Sequence, residues 1–349
     1  VTEPVVLNGR FTAQRLTGVQ RFATEICSAL PGVWPPDWPA PRLLSPRRRV
    51  RGVLGHLWEQ LVLPGRAAGG LLVNLGNTGP VLATRQLVVI HDAGVFATPE
   101  AYSTTFRYWY PRLQALLVKR RARIAAVSEF GRREIARHFE VPLGEIDLLS
   151  EGAEHILSAP ANDGILAAHD LKPGGFVLVV GSLAAHKNLA ALPLTAAMLA
   201  GRGMELVITG GFDKTVFRSG PSPLPHPARY VGRVGDDALR SLYENAACFV
   251  FPSRYEGFGL PAIEAMACGC PVVASRAEAL VEICGDAAAF CDAGAPADIA
   301  ATVAAVLDDP VAAQALRTAG RRRAATMTWP AAAARLVNSI ARMAMVTPP

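Results

Sequence analysis

Short apolar runs that alternate with helix-length stretches constrain the fold of this chain more than any other feature. Val5–Leu7, Leu71–Leu75, Leu87–Ile90 and Arg123–Val127 are such runs, and helical patterns lie between them at Val19–Leu30 and Tyr102–Arg121. Runs this short and this rich in Val, Ile and Leu read as strands buried on both faces, and the helices between them are the crossovers that parallel strands require. The pattern loosens at Ser158-Ala-Pro-Ala-Asn-Asp-Gly164 and Lys172-Pro-Gly-Gly175, then begins again. Strands are expected at Phe176–Val180, Glu205–Thr209, Ala228–Val231, Cys248–Pro252 and Pro271–Ser275. Helices are expected at Leu189–Ala200, Asp236–Asn245, Pro261–Cys268, Ala297–Asp308 and Val311–Met327. The fold class is therefore α/β, with two doubly wound domains at 1–160 and 161–329 and a last helix, about 330–349, returning to the first. Ligands are expected at the carboxyl ends of the strands and in a deep cleft between the domains.

Composition removes several other classes. Of the 349 residues, 51% are hydrophobic and 18% charged, which excludes a disordered chain. No apolar run reaches the roughly 18–20 residues of a membrane span, and the first ten residues lack a secretory pattern. The six cysteines are scattered through apolar surroundings, with no histidine at metal-finger spacing. They read as buried free thiols of a reducing cytoplasm, and no metal site is expected. Charge is uneven. Residues 1–137 carry 19 Lys and Arg against 8 Asp and Glu, whereas residues 138–349 carry 16 against 21. A basic first half suits an acidic partner such as a phosphate-bearing ligand or an anionic lipid surface.

The densest chemistry lies in Pro252-Ser-Arg-Tyr-Glu-Gly-Phe-Gly-Leu-Pro-Ala-Ile-Glu-Ala-Met-Ala-Cys-Gly-Cys-Pro-Val-Val-Ala-Ser275, which reads strand, Gly-rich loop, helix, glycine stop, strand. Gly257 and Gly259 admit close backbone approach. Pro261 suits the first helical position and Gly269 the stop. Loop amides and helix N-terminus together form an anion site fit for a diphosphate. From spacing alone, Glu256 reads either as a solvated turn residue or as a ligand contact. Glu264, one turn into the helix, reads either as a dipole partner or as an acceptor for two sugar hydroxyls.

This string resembles glycosyltransferase family 4, retaining enzymes of the GT-B fold with two Rossmann-like domains. The resemblance implies that Glu256 faces the transferred sugar. It implies that the Gly257, Phe258, Gly259 and Leu260 amides hold sugar hydroxyls or phosphate, and that Glu264 binds the ribose. Val180-Gly-Ser-Leu-Ala-Ala-His-Lys-Asn-Leu189 resembles the family's phosphate motif around Gly181. Lys187 matches the lysine that neutralises the diphosphate and stabilises the leaving group. Ser182 and His186 stand where relatives often carry arginine. Thr17-Gly-Val-Gln-Arg-Phe resembles the first loop and helix, with Gly18 open to donor or acceptor and Arg21 equally suited to an ion pair. His91-Asp92 matches a strand-end dipeptide that implies a sugar or acceptor contact for His91, with Asp92 orienting it or capping a turn. Ser128 reads as a helix cap and Arg132 as a candidate phosphate contact. Arg233 and Val234 are expected beside the nucleotide base through their backbone. Asp236-Asp237 reads as a cap, not a metal pair.

The resemblance implies an enzyme, a retaining hexosyltransferase expected to need no metal and to hold no permanently bound cofactor. The favoured donor is GDP-mannose, with a UDP-sugar as the alternative. The acceptor is a saccharide or lipid-linked oligosaccharide in surface polysaccharide or lipopolysaccharide assembly. Arg47, Arg48, Arg49 and Arg51, together with Lys119, Arg120, Arg121 and Arg123 below Tyr108, Trp109 and Tyr110, suit an anionic membrane surface; the plain alternative is a solubilising face. The expected location is the cytoplasm, peripheral on the inner leaflet. A catalytically idle GT-B saccharide-binding protein is the rival reading. No nucleic-acid motif appears. A dinucleotide dehydrogenase is disfavoured because Gly257-Phe-Gly259 lacks the third glycine.

Overall fold

The computed structural model describes residues 1–47, 52–211 and 224–345. Within it the chain divides into two compact units. The first comprises Val1–Val95, Thr105–Glu151 and Trp329–Pro349, and the second Phe96–Thr104 and Gly152–Thr328. The division falls at Glu151/Gly152, where the sequence suggested 160/161, and the short segment 96–104 goes with the second unit.

The first unit is built on six parallel strands: β1 (Val5–Asn8), β2 (Arg42–Leu44), β3 (Leu71–Asn74), β4 (Gln86–Ile90), β5 (Arg123–Ala126) and β6 (Ile146–Leu148), in the order β2-β1-β3-β4-β5-β6. Register is fixed by pairs such as Val6 with Leu72 and Val88 with Ile124. The central strands are buried on both faces, as their unbroken Leu and Val content requires. The Trp329–Met345 helix packs on the Gly18–Ala29 helix, with Phe22 and Trp329 edge to face at 5.9 Å. Arg342 reaches Asp147 at 2.8 Å.

The second unit repeats the plan: β7 (Phe176–Val180), β8 (Glu205–Thr209), β9 (Arg229–Gly232), β10 (Cys248–Phe251), β11 (Val272–Ser275) and β12 (Ala288–Cys291), all parallel, in the order β12-β11-β10-β7-β8-β9. Its core joins Val177, Val179, Val250 and Val273 of the sheet to Leu199 and Val303 of the covering helices.

Several local expectations change. The helix expected from Leu189 begins at Pro193, because residues 185–191 form two 3-10 turns joined at Asn188 in a left-handed conformation. The helix after the Gly-rich loop is Leu260–Ala267, so Pro261 is its second residue. Strands β2, β6 and β12 were not expected. β2 and β6 have three residues each, and β2 is largely exposed, too little for a periodicity signal. The apolar run Val53–Leu63 is helical, with a π-turn at Trp58–Val62.

That π-turn places Glu59, fully buried, at the carboxyl ends of β1 and β3. Asn8 donates to its Oε1 at 2.8 Å, Thr78 to its Oε2 at 2.9 Å and Arg10 to its Oε2 at 3.0 Å. Burial alone would push this carboxyl up. The Arg10 charge and the hydrogen bond from Asn8 outweigh it and hold the pKa below its ordinary 4.5. A carboxylate held low contributes stability above that ordinary value and loses it as the pH falls through the lowered one. Glu59→Gln should therefore cost on the order of 3 kcal/mol at pH 7. The gap to the native chain should narrow below about pH 4.5 in thermal melts; a gap independent of pH would contradict this.

Candidate functional site

In the second sheet the strand order reverses between β7 and β10. Loops leaving the carboxyl ends of two such neighbours diverge to opposite faces, and the crevice between them is where open parallel sheets bind ligands. Gly181, Ser182, Lys187, Pro252 and Ser253 line a small crevice there. Three of these, Gly181, Ser182 and Lys187, were expected in a phosphate site from sequence.

Asn188 and Gly210 shape the β7 loop. Asn188, at φ +60° and buried, donates to Pro252 O at 3.1 Å and to Ala293 O at 2.8 Å, which ties the loop after β7 to the loop after β10. Gly210, at φ +152°, lies so close to Gly181 that a Cβ would meet the Gly181 carbonyl oxygen at 1.6 Å. Asn188 stands within the stretch that resembles the phosphate motif, but its left-handed conformation and its partners are not readable from it, and Gly210 is an ordinary loop residue. The fully buried Ser253 hydroxyl, on the crevice wall, has no hydrogen-bond partner among the described residues.

Lys187 and Glu256 meet at the centre. The ammonium donates to Glu256 Oε1 at 2.6 Å and Oε2 at 2.9 Å, both side chains are mostly buried, and the Lys187 nitrogen lies 5.2 Å from the Phe251 ring centre. The pair brings a phosphate-type cation and a sugar-type carboxylate to one point although 69 residues separate them. His186 stacks parallel to Tyr102 with centroids 6.5 Å apart. Burial, and then the Lys187 charge, push its pKa down to about 4. The imidazole is neutral at pH 7, so it does not replace the charge of an arginine.

The loop before the Leu260–Ala267 helix explains the glycine at 259. Its φ is +108°, and a Cβ would lie 2.5 Å from Leu280 Cδ2. Phe258 and Leu260 bury their side chains, so they have backbone groups to offer a ligand. Glu264 is 6% exposed. His155 Nε2 lies 2.8 Å from its Oε1, and the Tyr243 hydroxyl donates to its Oε2 at 3.2 Å while also facing Pro261 O. Burial and then the Glu264 charge push the Tyr243 pKa well above 10, which keeps the phenol protonated as a donor. The sequence gives no signal for His155, 109 residues from Glu264.

The remaining candidates divide. Arg233 is exposed, with its side chain across Gly211, and Val234 is half-buried. Gly18 begins its helix with nothing within 4 Å of where a Cβ would stand. Nearby Gln20 borders a groove of about 460 Å³ in the first unit. His91 is buried: its Nε2 donates to Leu75 O at 2.9 Å and its Nδ1 faces Glu151 at 3.7 Å. Asp92 caps Gly94 N, Ser128 caps Gly131 N, and Arg21 pairs with Glu25. Gly235 is the cap residue before Asp236 and Asp237, which occupy the first helical turn. Arg132 is not available as a phosphate contact, since its guanidinium is spent on Glu129 and Leu143 O. Arg123 likewise leaves the basic cluster, because it grips Asp147 with two hydrogen bonds. Arg48, Arg49 and Arg51 lie outside the described residues. Among the described residues, no three His, Cys, Asp or Glu side chains form a metal-holding group.

A family model described as "Glycosyl transferases group 1" matches residues 167–323, which hold the whole of this crevice. Over 272 residues, 73% of this chain and 70% of the relative, the sequence is 31% identical to an O-antigen chain mannosyltransferase B of Escherichia coli. It is 27% identical over 334 residues, 89% of this chain and 78% of the relative, to an MMP alpha-(1->4)-mannosyltransferase of Mycolicibacterium hassiacum. The fold is similar to a crystal structure of Anabaena HepE in complex with UDP, with TM-score 0.69, 14% identity and coverage of 98% of this chain and 100% of that one.

The neutral state of His186 is directly measurable. Its ring resonances should stay those of a neutral imidazole from pH 7.5 to 5 and titrate near pH 4. A midpoint near the ordinary 6.5 would show that the Lys187 loop is more open than the structure has it.

Proposed function

The chain belongs to the group 1 glycosyl transferases, and we propose that it moves mannose from GDP-mannose to a hydroxyl of a saccharide, with retention and without a metal, in surface polysaccharide assembly. The observation that carries the donor site is the meeting of Lys187, Glu256 and the Gly257–Leu260 backbone at the β7/β10 reversal. The diphosphate lies against Lys187 and the amides at the N-terminus of the Leu260–Ala267 helix, where cation and helix dipole oppose its charge. Glu264 accepts from the ribose hydroxyls, and Arg233 and Val234 border the base.

In this reading the bond between sugar C1 and the phosphate oxygen breaks, and the acceptor oxygen bonds to C1 on the same face. The acceptor proton passes to the departing diphosphate. Glu256 positions the sugar. Its two oxygens held by one ammonium make it a poor nucleophile, which supports this assignment. His91 is read as a sugar or acceptor contact, its ring held through Nε2 by Leu75 O. Mannose is favoured by the names of both sequence relatives. A UDP-sugar is the second reading, favoured by the UDP bound to the structural neighbour.

The acceptor is proposed to be lipid-linked, with the chain peripheral on the inner leaflet. Among the described residues no single helix is long and apolar enough to cross a membrane. Yet Val53 is 75%, Leu61 72% and Trp109 47% exposed. His56 against the Trp109 ring sets their two helices side by side. Exposed Lys119, Arg120 and Arg121 end one of these helices. Apolar and aromatic side chains flanked by cations suit an anionic bilayer surface.

Calorimetry with a chelator present should find GDP bound more tightly than UDP or ADP, and Glu264→Ala should weaken it roughly ten-fold or more. Failure of all three to bind would favour the idle saccharide-binding protein. Flotation with anionic vesicles at low salt should carry the protein, and Leu61→Glu with Trp109→Glu should release it; indifference of the native chain to such vesicles would refute the membrane reading.

A further inference from the structure

We propose that His155 and Tyr243 are positioning residues for the nucleotide ribose: each holds one oxygen of the Glu264 carboxylate, so the lone pairs left over are fixed to receive a cis-diol. The inference rests on the reading of Glu264 as the ribose contact.

Three separate elements meet at this carboxylate. Glu264 comes from the Leu260–Ala267 helix, Tyr243 from the Asp236–Asn245 helix and His155 from the turn at Glu154–Leu157. All three side chains are buried. The terminal torsion of a glutamate is soft and nearly two-fold, so one carboxylate on a helix does not define its own plane. Two donors on different oxygens do: His155 Nε2 at 2.8 Å on Oε1 and the Tyr243 hydroxyl at 3.2 Å on Oε2. A carboxylate offers about four acceptor positions. With one taken on each oxygen, one remains on each, and two acceptors a carboxylate's width apart match two vicinal hydroxyls. The Tyr243 hydroxyl lies equally close to Pro261 O, at 3.2 Å, so its single proton is shared between the carboxylate and the first turn of the Glu264 helix.

Such a site has a consequence beyond affinity. A fixed, buried carboxylate that expects two hydroxyls leaves an acceptor unmet when one hydroxyl is missing, and sites built this way reject the deoxy analogue. A swinging carboxylate re-pairs instead and discriminates poorly. His155 and Tyr243 should thus govern the ratio of ribo to 2′-deoxyribo affinity, a quantity that a purely structural role would leave unchanged.

The test is calorimetry with GDP and 2′-deoxyGDP, with UDP and 2′-deoxyUDP in parallel so that the base does not decide the result. The native protein should prefer the ribonucleotide by roughly ten-fold or more. Tyr243→Phe keeps the ring and loses only the hydroxyl, so it tests the clamp even where His155→Leu fails to fold. Both variants should weaken the ribonucleotide while leaving the 2′-deoxy analogue nearly unchanged, and His155→Gln, whose amide nitrogen replaces Nε2, should restore the preference. Equal weakening of both ligands would overturn the inference and leave the two residues a role in the fold alone. If the native protein does not discriminate, the reading of Glu264 as a ribose contact fails first, and the inference with it.

Discussion

Where β7 and β10 lie side by side, consecutive crossovers depart to opposite faces of the sheet and leave a crevice at their carboxyl ends. Everything in the candidate donor site follows from that reversal. It brings Lys187 and Glu256 together, sets the Gly-rich loop against the phosphate-type motif, and points the Leu260–Ala267 helix N-terminus at the same place. Asn188 and Gly210 are the local fittings. One ties the two loops together, and the other lets the ends of β7 and β8 close on each other.

Three buried carboxylates of this framework are each paired. Glu256 holds Lys187, Glu264 holds His155 and Tyr243, and in the first unit Glu59 holds Arg10, Asn8 and Thr78. An isolated buried carboxylate is costly, and each of these is met by partners from distant parts of the chain. The roles differ. The Glu59 network is a closed assembly at the carboxyl ends of β1 and β3 and reads as a fastening of the first unit. The Lys187–Glu256 pair borders a crevice with an unsatisfied serine hydroxyl and a helix N-terminus beside it, an arrangement suited to a polyanion.

Much of this was legible in the sequence, for physical reasons. Strands such as Phe176–Val180 and Cys248–Phe251 are apolar throughout because both faces are covered, and that pattern survives in one dimension. The Gly257-Phe-Gly-Leu-Pro loop stood out because Gly257, Gly259, Pro261 and Gly269 punctuate one strand–loop–helix unit, and Lys187 through its place in a stretch that resembles the family's phosphate motif. Partners across the chain did not stand out. His155 and Tyr243 reach Glu264 only through the fold, and Glu151 faces His91 only because both follow the carboxyl ends of strands in one sheet, β6 and β4. Arg123 and Arg132 misled for the converse reason. A cluster of cations in sequence says nothing of the carboxylates and carbonyls that the fold sets against them. The left-handed Asn188 likewise broke a helix that its neighbours' propensities favoured.

The most direct test of the account is a crystal structure of the protein with GDP bound. The account places the diphosphate within hydrogen-bond reach of Lys187 Nζ and the amides of Gly257–Leu260, with the ribose hydroxyls on Glu264. A nucleotide seated anywhere else, with Lys187 and Glu256 uninvolved, would contradict it.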